Sequence, residues 1–187
     1  MAEARLKHFG WGRVGETLTP EEEAFAAGRY GELFGIAAFE QHDPPPLEHV
    51  VLRAPRVAPP PSLATLCSSE RFDRAQHTYG KSFLDYVHGL AGDYANAPDV
   101  VAYPRNADDI ATLLDWADSV GGAVIPFGGG SSVVGGVEPR VHACEDRDGP
   151  RRGQRERPLG SKGCSVRLVG RQNLQTLHQR KAGVDHH

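Results

Sequence analysis

The stretch that most constrains the fold is residues 123–136, where a short apolar run leads through Pro126 into three consecutive glycines. The glycines at 128–130 lack a Cβ, so their backbone reaches angles that other residues avoid. Successive N–H groups can then converge on one anion, and the hydroxyls of Ser131 and Ser132 add donors at the same place. The stretch predicts a phosphate or pyrophosphate cradle at the end of a strand, with a flexible glycine turn as the alternative.

Two common phosphate-binding motifs do not fit these glycines. The dinucleotide fingerprint G-x-G-x-x-G fails because Val133 stands where its last glycine is required. The P-loop pattern G-x-x-x-x-G-K-[ST] fits the spacing of Gly130 and Gly135, but Gly136 stands in place of the lysine. An anion here would be held mainly by backbone and hydroxyl donors, without a cation from the loop itself.

Residues 98–130 predict a strand, a helix and a second strand. A β-branched run at 99–103 is followed by Asn106 as helix N-cap, with Asp109 in the capping-box position. One helical face follows at Ile110, Leu113, Leu114 and Ala117, and Gly121-Gly122 ends the helix. The strand at 123–125 should then run parallel to the first, with a right-handed crossover. Ligands bind at the carboxyl ends of parallel strands, which favours the anion-binding interpretation of the glycine loop.

The chain before this unit predicts helices joined by an extended segment. Thr19, Pro20 and Glu22 form a capping box with proline at the first helical position, so a helix is expected over 20–34, ending at Gly35. Residues 8–12 (HFGWG) predict a turn packed against the body. Residues 43–61 contain seven prolines, which predicts an extended connector over the domain surface.

The segment 71–89 predicts a further helix after Gly80, because Phe83, Val87 and Leu90 have helical spacing. His77, Tyr79 and Lys81 could form an acid/base or phosphate-binding cluster. No partner motif lies nearby, so a polar surface segment is the favoured interpretation.

Charge and aromatic content change abruptly near residue 140. Residues 1–139 carry 10 Lys and Arg against 19 Asp and Glu, whereas residues 140–187 carry 11 against 5. The 2 Trp, 5 Tyr and 7 Phe all precede residue 140. The tail 140–187 is therefore expected to be disordered. Nucleic-acid binding is the less favoured alternative because no aromatic stacking residues accompany its arginines.

Neither a disulfide framework nor a metal site is predicted. Cys67, Cys144 and Cys164 are far apart, form no C-x-x-C pair, and are expected to be reduced thiols. His178 does not complete a common zinc spacing with the two later cysteines. With no apolar run of membrane-spanning length and no signal-peptide pattern, a cytoplasmic protein is expected.

Four sequence elements in order resemble a known family. They are HTYGKS (77–82), PDVVAYPR (98–105), LDWA (114–117) and PFGGGSSVVGG (126–136). With similar gaps, residues 71–139 resemble the flavin-binding domain of FAD-linked oxidases of the vanillyl-alcohol oxidase / p-cresol methylhydroxylase type. Within that family the segment is most similar to the alkyldihydroxyacetonephosphate synthase-like branch. The resemblance extends through Trp11-Gly12 and residues 19–23 over about 139 residues.

The resemblance implies an α/β or α+β fold and a loop that wraps the FAD pyrophosphate. The cofactor-binding residues it implies are Pro126, Phe127, Gly128, Gly129, Gly130, Ser131, Ser132 and Val133. Ser131 stands where the family often has threonine, and its hydroxyl is retained. Some members attach flavin through a histidine of this loop. Gly130 holds that position here, so the resemblance implies non-covalent FAD.

Together with the proline content and the change in composition near residue 140, the resemblance predicts an organisation into four parts. These are a helical N-terminal extension (1–42), a proline-rich linker (43–61), the N-terminal portion of the FAD-binding domain (62–139) and an atypical tail (140–187). Family members continue into a substrate-binding cap domain with the catalytic residues, which is not recognisable after Glu138. We therefore expect a truncated flavoprotein fragment without catalytic residues, whose tail arises from a shifted reading frame. Translating the DNA in the other two frames tests that origin.

Two alternatives to a flavoprotein stay open. One is a small non-enzymatic α/β protein that binds an anion and uses its basic tail for a nucleic acid or a partner. Salt-dependent DNA binding that disappears when residues 140–187 are removed would indicate it. The other is a product without a function of its own.

Overall fold

A four-stranded sheet organises the computed structural model, which describes residues 5–40, 42–140 and 165–169. The helices are α1 (Pro20–Phe34), α2 (Arg71–Gln76), α3 (Phe83–Leu90) and α4 (Ala107–Ser119). The strands are β1 (Cys67–Ser68), β2 (Val100–Ala102), β3 (Ala123–Phe127) and β4 (Ser165–Val169). Single 3₁₀ turns lie at Leu47–His49 and Pro61–Leu63. The fold is mixed α/β, as predicted.

The sheet has the strand order β1-β2-β4-β3. β1 pairs antiparallel with β2, whereas β2 and β3 each pair parallel with β4. In this register Arg167 of β4 lies between Val101 of β2 and Ile125 of β3. The two strands of the predicted strand–helix–strand unit therefore run in the same direction, as expected, but β4 separates them.

The expectation of a disordered tail is wrong for residues 165–169. Val166 and Val169 are buried, and the backbone of β4 is bonded on both sides by neighbouring strands. The Arg-rich, aromatic-free composition of the tail concealed a five-residue run with two valines and a leucine, which suits a central strand. The remaining tail residues after Arg140 lie outside the described part of the chain, and the reading-frame hypothesis stays a prediction.

One face of the sheet packs on α4. Leu113 and Ala117 of this helix are buried against Ala102 of β2 and Val166 of β4, together with Leu63. The other two members of the predicted apolar face, Ile110 and Leu114, remain 40% and 44% exposed. The partly buried Trp116 also packs against this core, so the stripe of α4 that faces the sheet runs through Leu113, Trp116 and Ala117.

The ends of α1 and α4 follow the predicted capping residues. Thr19 and Glu22 form a reciprocal capping box, and Gly35 ends α1 with a φ of 66°. At α4, Asn106 accepts a hydrogen bond from the N–H of Asp109 at 2.8 Å, whereas the Asp109 carboxylate accepts from the N–H of Arg105. Local hydrogen bonding therefore determines where these helices begin and end.

Helices α1 and α3 leave large apolar side chains exposed. None of the residues of α1 is buried, and Phe25 and Leu33 are 73% and 72% exposed. In α3, Phe83 is 81% exposed. Of the predicted turn at residues 8–12, Phe9 packs edge-to-face on Tyr86 at 5.4 Å, whereas Trp11 is 63% exposed.

The proline-rich residues 43–61 lie against the sheet domain. Val50 is buried beside Tyr79 and Tyr94. Arg53 donates a 2.7 Å hydrogen bond to the carbonyl of Ala97. Extended backbone with interspersed apolar and cationic side chains thus packs over the domain without a regular helix.

None of the helices in the described ranges is long and apolar enough to cross a membrane.

Candidate anion-binding site

The glycine loop leaves the sheet at the carboxyl end of β3. This strand reaches Phe127, two residues beyond the predicted end at Ile125. Among the described strands β3 pairs only with β4, so Pro126, which has no N–H, interrupts no second ladder there. Phe127 is 6% exposed, and the chain emerges directly after it. The loop therefore starts from a fixed point at the edge where parallel strands bind ligands.

Gly130 and Gly128 differ in whether the structure has room for a side chain. Gly130 has a φ of 70°, and a Cβ there would lie 2.7 Å from Cζ of the Phe127 ring. Both the backbone and the space therefore exclude a side chain at Gly130. Gly128 has an ordinary φ and nothing within 4 Å of an added Cβ. The space beside Gly128 is thus open to an approaching ligand.

The second half of the loop returns to the body over Gly80. The carbonyl of Ser132 accepts a 2.6 Å hydrogen bond from the N–H of Lys81. A Cβ at Gly80 would lie 2.5 Å from that same carbonyl oxygen and 2.9 Å from the Val137 side chain. Glu138 then accepts a 2.7 Å hydrogen bond from Asn96. These contacts hold the returning half of the loop against the body, whereas Gly128, Gly129 and Ser131 stay exposed.

The predicted cofactor-binding residues are consecutive in the chain, and all of them except Phe127 are at least partly exposed. Ser131 is exposed, Val133 is 66% exposed, and Ser132 is half-buried. The remaining predicted residues lie immediately before them in the same loop and strand end: Pro126, Phe127, Gly128, Gly129 and Gly130. The side chain of Phe127 points into the body, so it supports the loop and is not presented to solvent.

A guanidinium lies under the loop. Arg167 of β4 is fully buried, and its Cζ lies 4.9 Å from the centre of the Phe127 ring. Its Nη2 donates to the carbonyl of Val137 at 2.5 Å and more weakly to that of Thr78 at 3.4 Å. Burial lowers the pKa of Arg167 to about 9. Sequence analysis missed this cation because it separated the tail from the loop, although the valines beside Arg167 were a strand signal.

The interpretation of His77, Tyr79 and Lys81 as a polar surface segment is wrong. His77 and Tyr79 are buried, and Lys81 is half-buried. Their polar atoms bond in three different places. Nδ1 of His77 lies 2.7 Å from the carbonyl of Asp73, the Tyr79 hydroxyl donates to the carbonyl of Asp93, and Nζ of Lys81 donates to that of Gly10.

These three side chains therefore form no common acid/base cluster. Burial raises the pKa of Tyr79, with nearby carboxylates adding to the effect, and burial lowers the pKa of Lys81. The His77 ring packs edge-on against Phe127 at 4.9 Å and against Tyr103 at 5.7 Å. His77 thus supports the base of the glycine loop from below.

Within the described ranges, no three metal-ligating side chains come together. Cys67 is a free, half-buried thiol. Burial raises its pKa to about 11. The other two cysteines and His178 lie outside the described residues.

The fold of this chain is similar to that of part of two larger solved structures. Two structures of alkyldihydroxyacetonephosphate synthase superpose with TM-scores of 0.60, at 19% and 21% sequence identity. Each superposition covers 87% of this chain and 30% or 32% of the other chain. At these identities the comparison establishes the fold, and no protein-family model matches the chain.

Sequence similarity identifies the particular relatives for one segment. Over 70 residues the chain is 36% identical to alkyldihydroxyacetonephosphate synthase of Dictyostelium discoideum and 37% identical to that of Trypanosoma brucei brucei. The match covers 37% of this chain but 12% and 11% of those relatives. The Caenorhabditis elegans protein of the same name is 30% identical over 71 residues. The predicted resemblance is confirmed for this segment of the chain.

Proposed function

We propose that this chain binds FAD non-covalently through residues 126–133, as the flavin-binding part of an alkyldihydroxyacetonephosphate synthase-like, FAD-linked oxidoreductase. The observation that carries the proposal is a glycine loop at the carboxyl end of a parallel strand, in a chain related to these synthases over one segment. The finer assignment, a vanillyl-alcohol oxidase / p-cresol methylhydroxylase-type domain over 62–139, belongs to the same proposal.

The residues present suit a pyrophosphate. The space at Gly128 admits close approach of a ligand to the backbone, and the Ser131 hydroxyl is exposed as a donor. Nε and Nη1 of Arg167, directly under the loop, have no hydrogen-bond partner among the described residues. Backbone donors, hydroxyls and a cation together provide the chemistry that phosphate oxygens require.

The cofactor and the protein residues would have different roles. FAD supplies the redox chemistry when bound. The chain's own residues bind and orient its phosphates, and Phe127 and His77 hold the base of the loop by ring packing. No described residue is assigned a catalytic role.

FAD titration tests the proposal. Purified protein should quench flavin fluorescence and perturb the flavin spectrum, and Gly129→Asp should weaken binding because its carboxylate repels the pyrophosphate. Gly28→Asp adds the same charge on the exposed helix α1, where nothing lies within 4 Å, and should bind FAD like the unmodified chain. Acid precipitation should release all the flavin.

Two results would contradict the proposal. One is an unperturbed flavin spectrum at saturating FAD with the folded, unmodified chain. The other is equal FAD affinity for Gly129→Asp and Gly28→Asp, which would exclude the loop as the phosphate site. Flavin retained in the acid precipitate would overturn the non-covalent assignment alone.

A further inference from the structure

A buried cation with unused donors lies in the centre of the sheet. Arg167 is 0% exposed, and its Nε and Nη1 have no hydrogen-bond partner in the described part of the chain. Proteins rarely bury an arginine without pairing it, since an isolated buried charge is strongly unfavourable. The unused N–H groups therefore need an explanation.

We propose that Arg167 is the cationic anion-binding residue of the glycine loop and donates from Nε and Nη1 to a phosphate oxygen of the bound ligand. This inference rests on the proposed function, because it names the charge that the FAD pyrophosphate contacts. The loop sequence contains no lysine or arginine of its own between 126 and 136. β4 supplies the cation from a distant part of the chain.

The geometry places the guanidinium inside the base of the loop. Its planar group lies 4.9 Å from the Phe127 ring, which immediately precedes the glycines. Its Nη2 donates to the carbonyl of Val137, which closes the loop on the other side. Arg167 thus contacts the residue before the loop, Phe127, and the residue that follows it, Val137. The edge that carries Nε and Nη1 is the part of the fork left for a ligand.

Binding of an anion beside Arg167 should be energetically favourable. The guanidinium has five N–H donors, and its hydrogen bonds to the described residues use only Nη2. Burial is the cause of its lowered pKa, and no carboxylate of the described residues counteracts that effect. A phosphate oxygen would satisfy the unused donors and neutralise the charge, with the charge-assisted bonds that arginine forms best.

Access requires movement of the loop, since Arg167 has no exposed surface. Val133 and Val134 at the loop tip are 66% and 85% exposed and have little packing to lose. The neighbouring glycines lack side chains that would resist a change in backbone angles. An anion can therefore reach the guanidinium by displacing the exposed residues on either side of Ser132, while Ser132 keeps its bond from Lys81.

A purely structural role predicts the opposite response to substitution. If Arg167 only stabilises the folded structure and does not contact the ligand, then Arg167→Met should not alter anion affinity. If it serves an anion, Arg167→Met removes an unpaired buried charge, so the ligand-free protein should become more stable while anion binding weakens. A gain in stability together with a loss of anion affinity in Arg167→Met would therefore support the anion-binding role.

Inorganic pyrophosphate is the probe for the test. Calorimetric titration should give a Kd for the unmodified chain that Arg167→Met weakens by about ten-fold or more, as expected for a lost charge-assisted hydrogen bond. Thermal unfolding without ligand should show a higher Tm for Arg167→Met. The salt dependence of Kd should become shallower, because one fewer charge takes part. Arg167→Lys keeps the charge without the fork, so its affinity should be intermediate.

The outcomes separate this inference from the proposed function. Equal pyrophosphate affinity for Arg167→Met and the unmodified chain, with binding lost in Gly129→Asp, overturns the role of Arg167 and leaves the loop assignment intact. No binding of pyrophosphate or FAD by the folded, unmodified chain overturns both. If Arg167→Met fails to fold, Arg167→Lys decides: affinity unchanged from that of the unmodified chain, at the same salt dependence, contradicts a bidentate contact.

Discussion

The carboxylate of Asp99 accepts a 2.7 Å hydrogen bond from the backbone N–H of Ser165, which lies 66 residues later in the chain. The N–H of Asp99 in turn donates to the carbonyl of Ser165 at 3.0 Å. Arg53 and Arg56 of the proline-rich segment donate to the same carboxylate, Arg56 through Nη2 at 2.8 Å. One buried side chain thus joins the start of β4 to the segment that packs over the domain.

Replacing Asp99 should destabilise the fold in a pH-dependent manner. Burial alone would raise the pKa of Asp99, but the hydrogen bonds from Arg56, Arg53 and the N–H of Ser165 outweigh it and hold the pKa well below its ordinary value. A lowered folded-state pKa stabilises the protein above the unfolded pKa, and this contribution is lost as pH falls below about 4. Asp99→Asn should cost about 3 kcal/mol at pH 7, because two arginines lose their counter-charge.

Urea unfolding at pH 7 and pH 3 measures this effect. The difference in the free energy of unfolding between Asp99→Asn and the unmodified chain should shrink at pH 3. Glu32→Gln is the matched control, because it breaks the exposed Arg29–Glu32 pair and should change little at either pH. A difference that is the same at both pH values would mean that the charge of Asp99 is not what stabilises the sheet.

Gly80→Ala should loosen the returning half of the glycine loop. The new Cβ would lie 2.5 Å from the Ser132 carbonyl oxygen, which must move and thereby strain its bond from Lys81. We expect a loss of about 1–3 kcal/mol, as for an overpacked site. Gly28→Ala, in open space on α1, should instead stabilise its helix by about 0.5–1 kcal/mol. Chemical denaturation that finds Gly80→Ala as harmless as Gly28→Ala would refute the contact.

Thr19→Ala should weaken α1 without weakening the sheet. The substitution removes the capping box, which is worth about 1 kcal/mol to the helix. Since none of the residues of α1 is buried, little of that loss should reach the core. Hydrogen exchange followed by mass spectrometry should show faster exchange over Pro20–Phe34 and unchanged exchange in Val100–Ala102. Equal acceleration in both would show that α1 is coupled to the sheet.

Cys67 should react slowly with alkylating reagents. Burial raises the pKa of its thiol to about 11, so little thiolate is present at pH 7.5. Relative to an unperturbed thiol, the thiolate fraction falls by about 100-fold, which higher nucleophilicity only partly offsets. Iodoacetamide labelling of a Cys144→Ser, Cys164→Ser chain, before and after unfolding in urea, measures the difference. Rapid labelling of the folded chain would contradict the burial of Cys67.

Helix ends and the position of the glycine loop could be predicted from the sequence, because they depend on residues that are near in the chain. The helix Pro20–Phe34 begins and ends where Thr19 and Gly35 indicated, since capping groups act within one turn. The glycine loop was also identified in place, although its role as a phosphate site stays a prediction. The exposure of Phe83 and the burial of His77 were not predicted, because spacing along a helix or strand does not reveal which face meets a partner.

The sequence by itself determined the local elements: the capped helices, the strand before the glycines, and the loop that can turn because it lacks side chains. Only the tertiary structure decided that β4, from a tail of unlike composition, lies between β2 and β3 and brings Arg167 beneath that loop. The physical reason is that strand pairing depends on backbone hydrogen bonds available to almost any residue. Composition therefore could not reveal that a strand from the tail completes the sheet, or that it buries an arginine beneath the loop.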